Sequence, residues 1–358
     1  LLATNKLDVL VSNNCIQELG KVGIANPVNA FGILLDTVFN ATVSDNYVYS
    51  VGTDVGDGAC LLLNSVGANP TDPAGVVVTG NRLFHGYTAL ASVNNGYNIS
   101  VTGSCANLNI ANNVCSQFGA SGKANYGISI ASCESSIISN NIVTTGTNAS
   151  AGLLGSFGIY ANGTLVNFKI ASNIVDLFNT SWVRGLSVGA DGLSSSISVD
   201  NNSIREKTLV GGSARVAMYV NGGVTGSSLT RAVAVRNNTI TGAKSGLATL
   251  FRIGLYVNDC GYSTVSSNVV DWLYPVIAKG VGIQISASNL LNTWNHISCI
   301  GNLVTNDGDL ATADISLDEI NIVSLIAASN AVGDVVSPGM ISPALLPTNW
   351  QYGTNLVN

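Results

Sequence analysis

Charge is what this sequence has least of. Only 9% of its 358 residues are Asp, Glu, Lys or Arg, against about 25% in an ordinary globular domain. The 14 Lys and Arg residues form no cluster, and the net charge is −6. A nucleic-acid ligand or an anionic membrane surface calls for a basic patch, so neither is expected as a partner. No apolar run approaches the ~18 residues of a membrane span. Residue 1 is Leu, nothing near it resembles a signal peptide, and the chain is expected to begin inside a longer or processed protein. Seven cysteines with no C-x-x-C indicate neither a disulfide framework nor a zinc knuckle. No Asp/Glu cluster marks a calcium site; the densest acidic stretch, Asp307 to Glu319, reads as a solvated loop. No metal or cofactor is expected.

What is present is 46% hydrophobic residues, 39 glycines and much Ser, Thr and Asn. These polar residues favour turns and strand surfaces and are poor helix formers. The even spread of apolar residues excludes a disordered chain.

The apolar residues recur with the pattern apolar-x-x-Asn-x-apolar. It reads VSNNCI at 11–16, ISNNIV at 138–143 and VRNNTI at 235–240. The aligned asparagines are Asn14, Asn46, Asn81, Asn113, Asn141, Asn173, Asn202, Asn238, Asn268, Asn302 and Asn330, spaced 28 to 36 residues apart. Ahead of most of them stands a second element, glycine followed by apolar-x-apolar: FGILL (31–35), YGISI (126–130), FGIYA (157–161), RGLSV (184–188), IGLYV (253–257) and VGIQI (281–285). That alternation is a strand with one buried face. Each repeat therefore holds three short strands: G-I-x-I, one entering S-N-N and one leaving it. Such repeats bury their apolar side chains by coiling, each strand pairing in parallel with its equivalent in the next turn. The asparagines should stack as a ladder, and Asn also tolerates the left-handed backbone of a sharp bend. Cys105, Cys133 and Cys260 each stand eight residues before a ladder Asn and read as buried, stacked thiols, with a Cys105–Cys133 bridge allowed but not needed.

In its S-N-N-x-I turns and G-I-x-I strands, the region from residue 7 to about 332 resembles the right-handed parallel β-helix of the pectate-lyase-like superfamily, which includes bacteriophage tailspikes. The expected fold is all-β: a solenoid of about eleven three-strand coils with an Asn ladder over residues 1–332, then a cap or subunit-contact tail at 333–358. That fold hosts lyases, hydrolases, epimerases and non-catalytic fibres, so it does not define an activity. The N-x-D, D-D and G-H-G series of the polygalacturonases and the D-P-H-D of the alginate epimerases are not found. His85 and His296 are expected on separate, distant loops.

The resemblance implies that a substrate would lie on the face of the first strand. There the x positions of G-I-x-I are Ser100, Ser129, Tyr160, Ser187, Tyr219, Tyr256 and Gln284. Arg184, Arg215 and Arg252 stand just before these strands, and Asp191, Asn221 and Asp259 just after. Rings cover the apolar faces of sugars and guanidinium forks take carboxylates or hydroxyls, so Tyr160, Tyr219, Tyr256, the three arginines and Asn221 are candidate glycan contacts. The same residues are also ordinary strand-surface and cross-strand pairs, and both readings stand. Asp191 and Asp259, two coils apart at ~9.6 Å, suit an inverting glycosidase pair, whose carboxyls lie roughly 6.5–9.5 Å apart; a lyase would use Arg215 or Arg252 as base.

The expected function is a tailspike-like virion protein segment, homotrimeric and extracellular, that binds cell-surface polysaccharide and could depolymerise it. The alternatives are a secreted polysaccharide lyase or hydrolase, and a purely structural spacer.

Overall fold

The computed structural model describes residues 1–4, 8–19, 29–53, 57–67, 75–88, 95–116, 124–145, 156–178, 183–191, 193–207, 215–222, 231–242, 252–273, 280–286, 295–306, 313–318, 322–328, 330–332, 342–343, 350–352 and 356–357. Every regular element among them is a β-strand. The chain divides into two compact units: Leu1–Asn162 with Phe168–Val183, and Gly163–Asn167 with Arg184–Asn358. Each is a parallel β-solenoid of about six turns, where the sequence suggested one run of about eleven.

In the first unit the three strands of a turn are seen in Asn125–Glu134, Ile137–Ser139 and Ile142–Thr144. Their inward residues stack into three apolar columns. Ile33, Leu61, Ile99 and Ile128 are in register on the G-I-x-I strands. Val43, Val78, Ile110, Ile138 and Ile170 line the entering strands. Val48, Leu83, Cys115, Val143 and Val175 line the leaving strands. All are essentially buried, each contributing about 1.5–3 kcal/mol relative to exposure for the larger side chains. The second unit repeats the arrangement, with Leu186, Met218, Leu255 and Ile283 in one such column.

The glycine of G-I-x-I is the point where this triangular core is narrowest. A Cβ on Gly127 would stand 2.3 Å from Val143 Cγ1 on the leaving strand, and Gly32 and Gly185 meet Val48 and Ile204 in the same way. The motif therefore brings its sheet against the leaving strands.

The ladder asparagines from Asn46 onward are buried, and their amides bond from turn to turn. In the first unit the backbone N–H and the side-chain amide of Asn113 both donate to Asn141 Oδ1, at 3.0 Å each. The same amide donates to the Val78 carbonyl of the preceding turn. Asn141 repeats the pattern on Asn173, and Asn202, Asn238, Asn268, Asn302 and Asn330 form the second unit's ladder. One expectation is corrected. The left-handed backbone belongs to the residue before the ladder Asn wherever that residue is described: Asn13, Asp45, Gly80, Asn112, Asn140 and Ser172 in the first unit, and Asn201, Asn237, Ser267 and Gly301 in the second. The bend and the ladder place opposite demands on a side chain, one at the surface and one turned inward. Two consecutive residues divide the work.

The described cysteines are free, and all but Cys15 are buried. Cys105 and Cys133 are in register and unbridged, their thiols donating to the Thr102 and Ala131 carbonyls. Both histidines lie in strands, Arg82–Thr88 and Asn295–Ile300, not in loops. Within the tail, Ser342–Pro343, Trp350–Tyr352 and Leu356–Val357 pair in parallel with the strands of the preceding turn. No described helix is long and apolar enough to cross a membrane.

Candidate functional site

Parallel pairing in the second unit sets Ser187, Tyr219, Tyr256 and Gln284 in one row across successive strands. The row is less open than a free strand face. Ser187 is buried, and Tyr219 and Tyr256 are half-buried. The cover over Ser187 comes from Arg184, whose Nη1 donates to Ser187 Oγ at 3.3 Å. The Arg184 guanidinium carbon lies 4.3 Å from the centre of the Tyr219 ring. Such a cation over a ring is worth roughly 0.5–1 kcal/mol when exposed and about 2 when desolvated. The Tyr219 and Tyr256 rings are tilted against each other with centroids 5.3 Å apart. Burial raises the Tyr219 phenol above its ordinary value, while the Arg184 charge pulls it back down.

Behind the rings runs a directed chain of hydrogen bonds. Ser286 Oγ donates to Asn258 Oδ1 at 2.6 Å. Its one proton is thereby used, so the Tyr256 hydroxyl, 2.9 Å away, donates to Ser286. Asn258 Nδ2 in turn donates to Asp259 Oδ2 at 2.9 Å and faces Asn221 Oδ1 at 3.4 Å. The Asn258 side chain also lowers the Tyr219 phenol's value. Tyr256 is anchored on Asn258 through Ser286. Asp259 is itself buried in a left-handed backbone conformation with φ of 47°, and its carbonyl oxygen would meet a Cβ on Gly222 at 2.2 Å.

The register brings together some of the expected residues and separates others. Asn221 is in register with Asn258, so Asp259 stands one position further along. Asp191 is two positions past Gly189, the partner of Asn221, and so lies beyond the row of Asp259. The Asp191 carboxylate is engaged by its own turn and by the preceding one. It accepts from Thr164 Oγ1 at 2.5 Å, from the Leu193 backbone N–H at 3.0 Å and from Ser194 Oγ at 3.1 Å. The three arginines do not form one column: Arg215 is in register with Arg252, whereas Arg184 is in register with Val216. The side chains of Arg215 and Arg252 lie outside the described residues. Tyr160 belongs to the first unit, where it tilts against Tyr126 and Phe157.

Two members of the site were missed, Asn258 and Ser286. A signal for the first was in the sequence: M-Y-V-N at 218–221 and L-Y-V-N at 255–258 are the same four-residue element. Among the described residues no group of His, Cys, Asp and Glu has the arrangement of a metal site.

The class defined by these observations is a parallel β-solenoid with a stacked Asn ladder. No protein-family model matches the chain, and no curated protein matches it. Among solved structures it is similar to the A-module of the mannuronan C-5 epimerase AlgE6 of Azotobacter vinelandii, at a TM-score of 0.48 and 14% identity, covering 99% of this chain and 91% of that one.

Proposed function

We propose that the chain is a polysaccharide-binding solenoid, a tailspike-like segment of a virion protein that holds an acidic cell-surface glycan on the second unit. The observation that carries this reading is the Arg184 guanidinium held over the Tyr219 ring beside Tyr256. The rings supply apolar surface for a pyranose face, and the guanidinium supplies a planar partner for a sugar carboxylate. Asn258 holds Tyr256 through Ser286, and Arg184 lies over Tyr219, so little ordering is left to be done on binding. Asn221 completes the polar edge, and Arg215 and Arg252 are the further cations proposed for it.

Binding, rather than cleavage, is the reading that the carboxylates favour. Three donors hold the Asp191 carboxylate, and Asn258 occupies one oxygen of Asp259. Should the protein depolymerise its ligand, Asp259 is the residue proposed to act, with Asp191 as its partner. The reading also makes the protein an extracellular homotrimer. In its support, Ile137 and Ile142 flank the Asn140–Asn141 turn at 43% and 42% exposure and offer an apolar edge to another copy.

The test is calorimetric titration of the full chain with hexagalacturonate, alongside an assay for reducing ends and for unsaturated product. Binding that falls about tenfold or more in Arg184→Ala and Tyr219→Ala supports the proposal. Turnover abolished by Asp259→Asn would turn the reading to a polysaccharide lyase or hydrolase. Absence of both binding and turnover would leave a structural spacer. Light scattering decides the trimer.

A further inference from the structure

We propose that the first unit carries a glycan-binding shelf of its own, formed by Tyr97, Tyr126, Phe157 and Tyr160, and that this shelf takes a neutral hexose chain. Its residues belong to the first unit alone, so the inference does not rest on the Arg184 site.

The shelf follows from register. Tyr97 and Tyr126 are paired on adjacent turns, and Tyr126 stands directly before Gly127, where its strand approaches the core. Their rings stack at 5.0 Å and 11°, and Tyr126 stacks on Phe157 at 5.0 Å and 9°. Tyr160 lies across the end of this stack, tilted 54° to Tyr126 and 61° to Phe157. All four rings are half-buried, so each keeps some surface in contact with solvent. Stacking of this kind also steadies adjacent strands, and polar side chains line one edge of the shelf. Asn95 Nδ2 donates to the Tyr97 hydroxyl at 3.0 Å, the Asn95 backbone N–H donates to Asp57 Oδ1 at 2.8 Å, and Asn95 Oδ1 accepts from the Ala124 backbone N–H at 3.3 Å. A continuous aromatic surface with a few fixed polar groups at its edge can orient a sugar: ring faces meet C–H faces, and the rim meets hydroxyls.

Charge selects the ligand class. The Asp57 carboxylate lies close enough to act on both Tyr97 and Tyr126, adding to burial in holding those phenols protonated. A sugar carboxylate would meet that negative field, whereas a neutral hexose would meet hydroxyl, amide and carboxylate acceptors. The contrast with Arg184 over Tyr219 is direct: one shelf has an anion at its rim, and the other has a cation on its ring.

The experiment is calorimetric titration of the full chain with cellohexaose, laminarihexaose, maltohexaose and mannohexaose, with hexagalacturonate as the charged counterpart. At least one neutral hexasaccharide should bind. Its affinity should fall about tenfold or more in Tyr126→Ala and Phe157→Ala. Tyr126→Leu keeps apolar volume without a ring face; it should retain the thermal midpoint yet lose affinity, which separates a binding role from a packing role. The inference is overturned if no neutral hexasaccharide binds, if Tyr126→Leu binds as the unmodified chain does, or if hexagalacturonate is the ligand lost in the ring variants. Loss of hexagalacturonate in Arg184→Ala alone reports on the second unit and leaves this shelf to its own test.

Discussion

Gly127 stands so close to Val143 that a single methyl group would not fit between them. Its Cβ would lie 2.3 Å from Val143 Cγ1 and 2.6 Å from the Gly158 carbonyl oxygen. The first obstacle is a side chain and the second is backbone of the next turn, which cannot rotate away. Gly127→Ala should therefore destabilise the protein by about 1–3 kcal/mol, the usual cost of overpacking. In a Val143→Ala background the cost should shrink without vanishing, because the carbonyl contact remains. Urea denaturation of the four proteins of that cycle measures the coupling, and equal costs in both backgrounds would disprove the contact.

The neighbouring residues Asn140 and Asn141 should respond in opposite ways to the same substitution. Asn140 has φ of 55° and is exposed, so Asn140→Gly relieves a left-handed backbone that costs other residues roughly 1–2 kcal/mol. Asn141 is buried, donates to Asn173 Oδ1 and Ile110 O, and accepts from Asn113. Asn141→Gly leaves those partners unpaired at about 1–3 kcal/mol. The expected result is a neutral or raised thermal midpoint for Asn140→Gly and a lowered one for Asn141→Gly. Equal loss in both would mean that ladder and bend are not divided between them.

That division marks how far the sequence could be read. The period, the three strands and the ladder were legible because each turn repeats them and parallel pairing keeps equivalent residues in register. The bend was misplaced by one residue, since S-N-N offers two asparagines and only the backbone shows which is left-handed. A slip of the same size affected the site: Asp259 was grouped with Asn221, whereas the register partner is Asn258. The aromatic stack of the first unit was overlooked although YGISI and FGIYA display three of its four rings. Attention to the x position passed over the residue before the glycine. Loop-borne features could not be read from a pattern, because loops carry no repeat.

Removing Arg184 should shift the titration of Tyr219 without any ligand present. The guanidinium lowers the phenol's value against the raising effects of burial, Tyr256 and Asp259. In Arg184→Gln the favourable charge on the phenolate is lost while the side-chain length is kept. Tyr219 should then ionise at higher pH, and ultraviolet difference titration against Tyr219→Phe isolates its signal. An unmoved or lowered value would show that the guanidinium does not sit over the ring in solution.

Buried thiols should make the protein lose stability in alkali. Burial raises Cys60 and Cys115 and pushes Cys260 and Cys299 up to about 12, from an ordinary value of 9.0. In the unfolded chain these thiols lose their protons above the ordinary value, whereas in the folded chain they retain them. Above pH 9.0 the unfolded state therefore binds fewer protons than the folded one, and stability falls as pH rises. The contribution is fully present below that point and is lost progressively toward about 12, with the raised phenols of Tyr97 and Tyr219 adding to the loss above 10.0. Urea midpoints measured in reductant should be flat through neutral pH and decline steeply in that window. Cys299→Ala should lower the midpoint at neutral pH through the cavity it leaves, yet make the alkaline decline shallower, because one retained proton has been removed. A decline of unchanged slope in Cys299→Ala would show that its thiol does not carry the effect.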